Sequence, residues 1–413
     1  MRSLYLILFL SKVFVPSSLN SAKAETPDRP SGVEFHSDTL RRVGAHGDNW
    51  CITWAADDSQ IVSMDDGNWL EAPKSFSNRL YRLLGGPNDL QREDIPGYPE
   101  FLFNAAGWFG YGIASIDGTL YSFVSKCPKN HWSGPFRGVK LLKSPDNGAT
   151  WSRVNAEGEE RPLAPQDEAR YEASREEMFF FEEEGRENHG GVAYPFSFCA
   201  FAQRGRDHGA AEDGYAYIYS PEGADSQELL LARVPKDRVG IKGDWEFYSG
   251  MEGDRPTWSS SLGDRRPVHV FPEESANGDV FGWYSWLPSV VWNAPLGLYI
   301  MVNGGTYGGK GLSGDKKDYY SAWMHTRSGS LGFWYAEKPW GPWKQFFYTE
   351  EWTVDDPHNR TYQPKLSPKW IGEDGKRMVL IWSDAMKNEK GRSHTVNYKW
   401  NQMEISIEMG ETK

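Results

Sequence analysis

The chain has 413 residues, a formal net charge of −12, 43 Gly, 25 Pro and 15 % aromatic residues. The negative balance argues against nucleic acid and anionic membrane surfaces as partners, and against a strongly anionic polymer unless a local basic cleft overrides the average. Cys51, Cys127 and Cys199 are widely spaced and odd in number, so at most one disulfide can form, and no Cys-x-x-Cys or His-x-x-x-His spacing suggests structural zinc.

In chain order, Arg2 is followed by the apolar run LYLILFL, interrupted at Lys12, and the segment ends in Ala22-Lys23-Ala24. This is the pattern of a secretory signal peptide over residues 1–24, too short and too early broken for a membrane anchor. Residues 25–31 read as a linker, and 32–413 as a single domain. Within it a unit recurs: a short β run, a turn carrying Asp or Asn with Gly, and a second β run. GYGIASIDGTLYSFVSK (110–126), VKLLKSPDNGATWSRV (139–154), SVVWNAPLGLYIMVNGG (289–305) and PKWIGEDGKRMVLIWSDA (368–385) each read as an antiparallel hairpin. Only EARYEASREEMFFFEEEG (168–185) reads as helical, its charge suggesting an exposed insertion docked by FFF. The expected fold is all-β: a β-propeller of five to seven blades of antiparallel strands with one short helical insertion.

Two resemblances attach to specific residues. SPDNGATW (144–151) resembles the Asp-box hairpin of sialidases and other propellers. Its letters describe a loop that folds itself, with Asp146 accepting backbone N–H groups, Gly148 supplying positive φ and Trp151 anchoring a strand. GDNWCITWAADD (47–58), DDGNW (65–69), FAQRGRDHGAAEDGYAYIYS (201–220), LLLARVPKDRV (229–239), WYSWLPSVVWNAPLGLYIM (283–301) and FWYAEKPWGPWKQFFYTEEW (333–352) resemble a secreted β-propeller family of the DUF4185-like kind. The resemblance spans most of the mature chain. It implies cleavage of glycosidic bonds in polysaccharides and, more distantly, a likeness to propeller lyases of uronate-rich algal polymers of the ulvan type. The family pattern has Tyr where His208 stands and a basic residue near Glu212, so this chain departs from it there.

Hydrolysis of a glycoside needs two carboxyl groups, one protonated and one ionised. Asp48 and Asp57–Asp58 stand beside strand-like aromatic residues, and Asp207 and Asp213 form a second acidic group. Asp48 with Asp58 or Asp207 is the expected pair. Elimination needs a base and a cation facing a uronate carboxylate. If RGRDHG is a strand, Arg204, Arg206 and His208 share one face, and Tyr284 supplies a phenolic acid. A glycan channel also calls for aromatic faces, and among 19 Trp the candidates for substrate contact are Trp50, Trp108, Trp132, Trp258, Trp283 and Trp286, with Arg204 beside them. A sialidase would bring three arginines to its substrate and repeat the Asp-box; one box occurs here, and PFRGV (135–139) only partly matches the family's N-terminal signature.

No nucleophile elbow, P-loop or dinucleotide fingerprint occurs, and GGTYGGKG (304–311) reads as a rim loop. MDDGN (64–68) could help hold Ca²⁺ but lacks the spacing of a calcium loop; no other metal or cofactor is expected. These readings describe a secreted or periplasmic monomer that cleaves polysaccharide by carboxylate acid/base hydrolysis. A polysaccharide lyase and a non-catalytic glycan-binding propeller are the alternatives.

Overall fold

The computed structural model describes residues 28–410 apart from 71–72, 104–106, 127–137, 169–173, 182–183, 185–194, 223–226, 272–280, 283–287, 308–328, 356–358, 388–392 and 395–396. After β1 (Arg29–Val43), blade I comprises β2 (His46–Trp54), β3 (Gln60–Asn68), β4 (Phe76–Leu84) and β5 (Gln91–Asp94), with β6 (Phe101–Leu102) beside β4. Blade II comprises β7 (Trp108–Ile116), β8 (Thr119–Lys126), β9 (Gly138–Ser144), β10 (Trp151–Val154) and β11 (Glu160–Leu163), with β12 (Phe180–Phe181) beside β9. Blade III comprises β13 (Ala200–Phe201), β14 (Tyr215–Pro221), β15 (Glu228–Pro235), β16 (Glu246–Glu252) and β17 (Arg255–Ser259), with β18 (His269–Val270) beside β15. Blade IV comprises β19 (Phe281–Gly282), β20 (Ser289–Asn293), β21 (Leu298–Tyr307), β22 (Gly329–Ala336) and β23 (Lys344–Trp352). Blade V comprises β24 (Asn359–Ile371), β25 (Arg377–Lys387), β26 (Ser393–His394) and β27 (Trp400–Gly410), and β1 completes it by pairing antiparallel with β27 from Arg29↔Gly410 to Val43↔Trp400.

The molecule is therefore a five-bladed β-propeller. The four hairpins read from turn chemistry are all present as β7–β8, β9–β10, β20–β21 and β24–β25. In β7–β8 the turn is Asp117-Gly118, both with positive φ (47° and 80°), the backbone that matches the twist of the flanking strands. Among its described residues, the segment 168–185 is helical in a single 3-10 turn, Arg175–Glu177. Glu168 and Glu177 are buried there against Lys140 and Arg153, so part of its charge is spent inside the blade. β1 begins at Arg29, inside the stretch read as a linker.

Side chains alternate across each sheet, and each blade sends one set to each neighbour. On β2, Cys51 enters the core between blades I and II, while Trp50 and Ile52 enter the core between blades V and I. Equivalent apolar wedges fill the II–III, III–IV and IV–V seams. Strands β2, β7, β13, β20 and β24 ring the axis. They run parallel: Asn49 Nδ2 donates to the Gly110 carbonyl near the start of β2 and β7, and the Ser115 N–H donates to Thr53 Oγ1 near their ends. The end where these strands begin is called the upper end, and the hairpin turns after them mark the lower end.

The 144–151 hairpin lies at the lower end of blade II. Asp146 accepts from Ser144 Oγ (2.9 Å), Thr150 N (2.8 Å) and Thr150 Oγ1 (2.6 Å), and Trp151 Nε1 donates to the Gly148 carbonyl at 3.1 Å. Trp151 is buried against Tyr98 of blade I at 5.0 Å between ring centroids. Asn147 donates to Asp57 Oδ2 while Arg82 of blade I bonds both the Asn147 carbonyl and Asp57, so the tip pins two blades together. Trp151→Ala is expected to lower unfolding free energy by about 3–5 kcal/mol through the cavity it leaves, and Asp146→Ala by only about 1 kcal/mol because its bonds are exposed to water. Urea unfolding measures both, and equal losses would contradict the assignment of Trp151 as the anchor.

Candidate active site

At the upper end the β2–β3 hairpin brings together three carboxyl groups. Its turn is centred near residue 57, so Asp48 faces Asp65 across the pair, with register shifts on either side of Asp48. Asn49 (φ 51°) and Asp66 (φ 55°) occupy left-handed backbone within these irregularities. Bulges of this kind re-aim side chains that a regular ladder would alternate strictly.

The three carboxyls have different surroundings. Asp48 is buried, and its Oδ2 accepts the Tyr398 phenol at 2.7 Å. Asp65 is buried and accepts N–H donors from Asn49 Nδ2 (2.9 Å), Asn78 Nδ2 (2.8 Å) and Gly110 N (2.9 Å). Burial nevertheless pushes its carboxyl well above the usual range, with the Asp48 charge adding to burial and the Asn49, Gly110 and Asn78 bonds opposing it. Asp66 is half-buried, and its Oδ1 is enclosed without a hydrogen-bond partner among the described residues. Burial, then Asp48, then Asp65, raise Asp66 well above the carboxylate range.

The floor beneath them is also polar. Asn78 is oriented by Ser63 Oγ (2.8 Å) and by the Tyr98 hydroxyl, which donates to Asn78 Oδ1 at 2.5 Å. Lys365 of β24 is 3 % exposed; burial lowers its ammonium, opposed by Cys51, Asp48 and Asp65. The Cys51 thiol is pushed up to about 12 by burial and is inert as a nucleophile. Buried carboxyls and buried amide donors are thus gathered at this end.

The structure separates the expected carboxylate pair. Asp58 is at the lower end of the β2–β3 hairpin, bonded to Trp54 Nε1 (2.9 Å) and Lys369, roughly 20 Å or more of strand from Asp48. Asp207 also lies at the lower end, where its carboxylate holds Ser115 Oγ (2.6 Å) and the Gly118 N–H (2.8 Å) of the β7–β8 turn. RGRDHG is not a strand: Gly205, Asp207 and His208 all have positive φ and form a 3-10 turn. Its side chains therefore diverge. Arg204 is buried against Asp213 and over the Tyr217 ring, Arg206 bonds the Ala56 carbonyl at 3.0 Å, and His208 Nδ1 meets the Ser115 carbonyl at 3.1 Å.

The aromatic candidates divide similarly. Trp50 and Trp108 are fully buried: Trp50 packs between Trp69 and Trp400, and Trp108 lies between the ammonium groups of Lys126 (5.0 Å) and Lys140 (4.2 Å). Neither can stack on substrate. Trp258 is half-buried among Tyr217, Tyr248 and Trp340, with Arg233 at 4.2 Å from its ring. Trp132, Trp283, Tyr284 and Trp286 lie outside the described residues. For Ca²⁺, MDDGN does not fit as an ion site. The Asp65 oxygens are committed to N–H donors, and no group of three or more His, Cys, Asp or Glu side chains gathers to hold an ion among the described residues.

No protein-family model matches the chain, and no curated protein matches it. Among solved structures it is similar to the α-L-arabinofuranosidase of Podospora anserina in complex with cellotriose, at 11 % identity and a TM-score of 0.44 over 92 % of this chain and 97 % of that one. It is similar to the catalytic domain of a Coprinopsis cinerea α-L-arabinofuranosidase at 9 % identity and a TM-score of 0.42, over 89 % and 91 % of the two chains. An N-acetylgalactosamine deacetylase from F. plautii in complex with blood group B trisaccharide is similar at 10 % identity and a TM-score of 0.49, over 92 % and 94 %. At such identities the chemistry has to be read from the side chains.

Asn49, Asn78, Tyr398 and Lys365 are not singled out by sequence reading, and Asp65 and Asp66 only as possible Ca²⁺ ligands in MDDGN. A signal for two of them existed: a hairpin turning at 57 necessarily sets 48 opposite 65 and 66. His208, by contrast, belongs to the framework. It is fully buried, and burial lowers its imidazole from 6.5 to about 4, with the Ser115 carbonyl opposing. The unfolded chain takes up a proton at His208 below pH 6.5 and the folded one only near pH 4, so acidification across that window destabilises the fold by roughly 3 kcal/mol from this group. In unfolding experiments from pH 7 to 4, His208→Gln should narrow its stability deficit relative to wild type as pH falls. A constant deficit would rule out a neutral buried imidazole.

Proposed function

We propose that the protein is a secreted glycoside hydrolase of polysaccharides, with Asp66 as general acid and Asp48 as the ionised partner. One observation carries this reading: two carboxyls meet at one end of the axis in contrasting settings, Asp48 stabilised as an acceptor by Tyr398 and Asp66 desolvated with an unpartnered oxygen. Environments that push two acids apart assign their roles. Asp66, protonated, gives its proton to the departing glycosidic oxygen as the C–O bond breaks. Asp48, ionised, takes a proton from the attacking water or adds to the anomeric carbon itself, and water completes the cleavage. Asp65, buried and held by three N–H donors, keeps the hairpin irregularity in place.

The resemblance of GDNWCITWAADD and DDGNW to DUF4185-like propellers supports the same end of the molecule, since both segments meet there. The apolar run before Ala22-Lys23-Ala24 supports export. Elimination has less support: Arg204, Arg206 and His208 are engaged at the lower end. Incubation with a panel of cell-wall and algal polysaccharides should release reducing ends without absorbance from unsaturated uronate. Asp48→Asn and Asp66→Asn should each lower that rate by about 10²–10⁴-fold, while Asp58→Asn leaves it within a few-fold. Retained hydrolysis in Asp66→Asn, or unsaturated products, would overturn the assignment.

A further inference from the structure

At the lower end the outer edges of blades IV and V leave a groove, and an irregularity in β23 shapes its wall. β23 pairs only with β22 and β1 only with β27, so two edge strands meet there. Along β22, Phe333 faces Phe347 while the next residue, Trp334, faces Gln345. Phe346 is therefore the extra residue of a β-bulge, which re-aims side chains at a sheet edge. In a regular strand Phe346 and Phe347 would point to opposite faces. Here both pack towards blade V: Phe346 against Phe333 (5.9 Å between centroids) and Tyr335 (6.1 Å), and Phe347 against Phe333 (6.0 Å) and Phe35 of β1 (5.3 Å). Both remain half-buried. Together with Lys344, Gln345 and the first residues of β1 they line a cavity of about 630 Å³, a volume typical of ligand sites.

The charge of this groove opposes that of the chain, which is −12 overall. Arg29 of β1 is paired with Glu337. Lys344 is exposed, its ammonium lies 6.0 Å from the centre of the Tyr335 ring, and it pairs with no carboxylate among the described residues. We infer that the groove is a second glycan-binding site, remote from the carboxyl cluster, that takes a uronate-bearing oligosaccharide. The C–H face of a sugar ring lies on Phe346 and Phe347, and its carboxylate meets Lys344. The choice of a sugar as occupant rests on the polysaccharide reading above, and the rings and the cation define which sugar. A neutral glycan leaves the ammonium unused, and an acidic peptide leaves the aromatic wall unused. On a long polymer the groove is a second point of attachment, which raises retention without any new contact at the carboxyl cluster.

Isothermal titration calorimetry at low salt tests this with the Asp48→Asn protein. The probes are tetragalacturonate, tetramannuronate and a glucuronate-substituted xylotetraose, with cellotetraose and hexaglutamate for comparison. At least one uronate probe should bind. Lys344→Gln should weaken that binding about tenfold, and Lys344→Glu should abolish it. Phe346→Ala should weaken it by about threefold to tenfold. Lys338→Glu, an exposed lysine of the neighbouring turn, should leave it within about twofold. Lys344 is exposed, so its variants keep the fold and the result does not depend on the Phe346 variant. The inference is overturned if no uronate probe binds or if binding survives Lys344→Glu. It is equally overturned if hexaglutamate binds as tightly as the best uronate probe, which marks an acidic-peptide surface, or if cellotetraose does, which marks a neutral one. The hydrolase reading fails separately, by the absence of reducing ends from wild-type protein, and binding at Lys344 is read whether or not cleavage occurs.

Discussion

Every blade of this propeller is buried on both faces, and that constraint shapes the rest of the molecule. A sheet with one wet face can pack against a single neighbour, but these sheets must each satisfy two, which only a closed ring achieves. Closure falls to β1, which leaves the start of the chain to pair with β27 at its end. At the resulting seam Trp50, Trp69 and Trp400 pack ring against ring, with Trp69 and Trp400 stacked at 4.8 Å. Trp50 Nε1 also donates to Ser383 Oγ of blade V at 2.8 Å. The site depends on this seam directly. Asp48 is two residues from Trp50 on the same strand, so the burial that locks the ring also fixes the backbone from which the carboxylate projects.

The ring was legible from turn chemistry because hairpins are local. Asp117-Gly118 and Gly297 announce their turns by residue type, and the β runs around them have the right length. Blade number and closure were not legible, since the pairing of β1 with β27 joins residues more than 350 positions apart. Two misreadings have the same physical origin. RGRDHG was read with the alternation of a strand, yet Gly205 and two left-handed residues after it turn the chain. The acidic stretch 168–185 was read as a solvated helix, but Glu168 and Glu177 meet Lys140 and Arg153 from β9 and β10, partners that no local pattern reveals.

Asp58 and Asp207, the acids expected beside Asp48, sit in surroundings unlike those of Asp65 and Asp66. All four are aspartates next to turns or strand ends, and in sequence they are equivalent. What separates them is how many donors each finds. At the lower end the acids are satisfied: Lys369 and the Trp54 indole hold Asp58 below its ordinary range, and Thr150 does the same for Asp146. For Asp57, bonds from Ser59 and Asn147 with the Arg82 charge outweigh burial. These carboxylates stabilise turns and have little reason to move a proton.

At the upper end the balance is reversed. Burial and then the Asp48 charge raise both Asp65 and Asp66, with Asp65 adding to the rise of Asp66, and Asp66 keeps an oxygen without a partner among the described residues. Folding tolerates such groups rarely, because an unsatisfied buried polar atom costs about 1–3 kcal/mol. Framework stability has no use for three carboxyls in one place, as the surrounding wedges are already apolar and complete. A propeller that could have filled this end with leucine instead holds Asp48, Asp65 and Asp66 there. The polarity of the two ends thus follows from donor supply: the lower end ties the blades together with satisfied acids, and the upper end holds carboxyls that burial raises above their ordinary range.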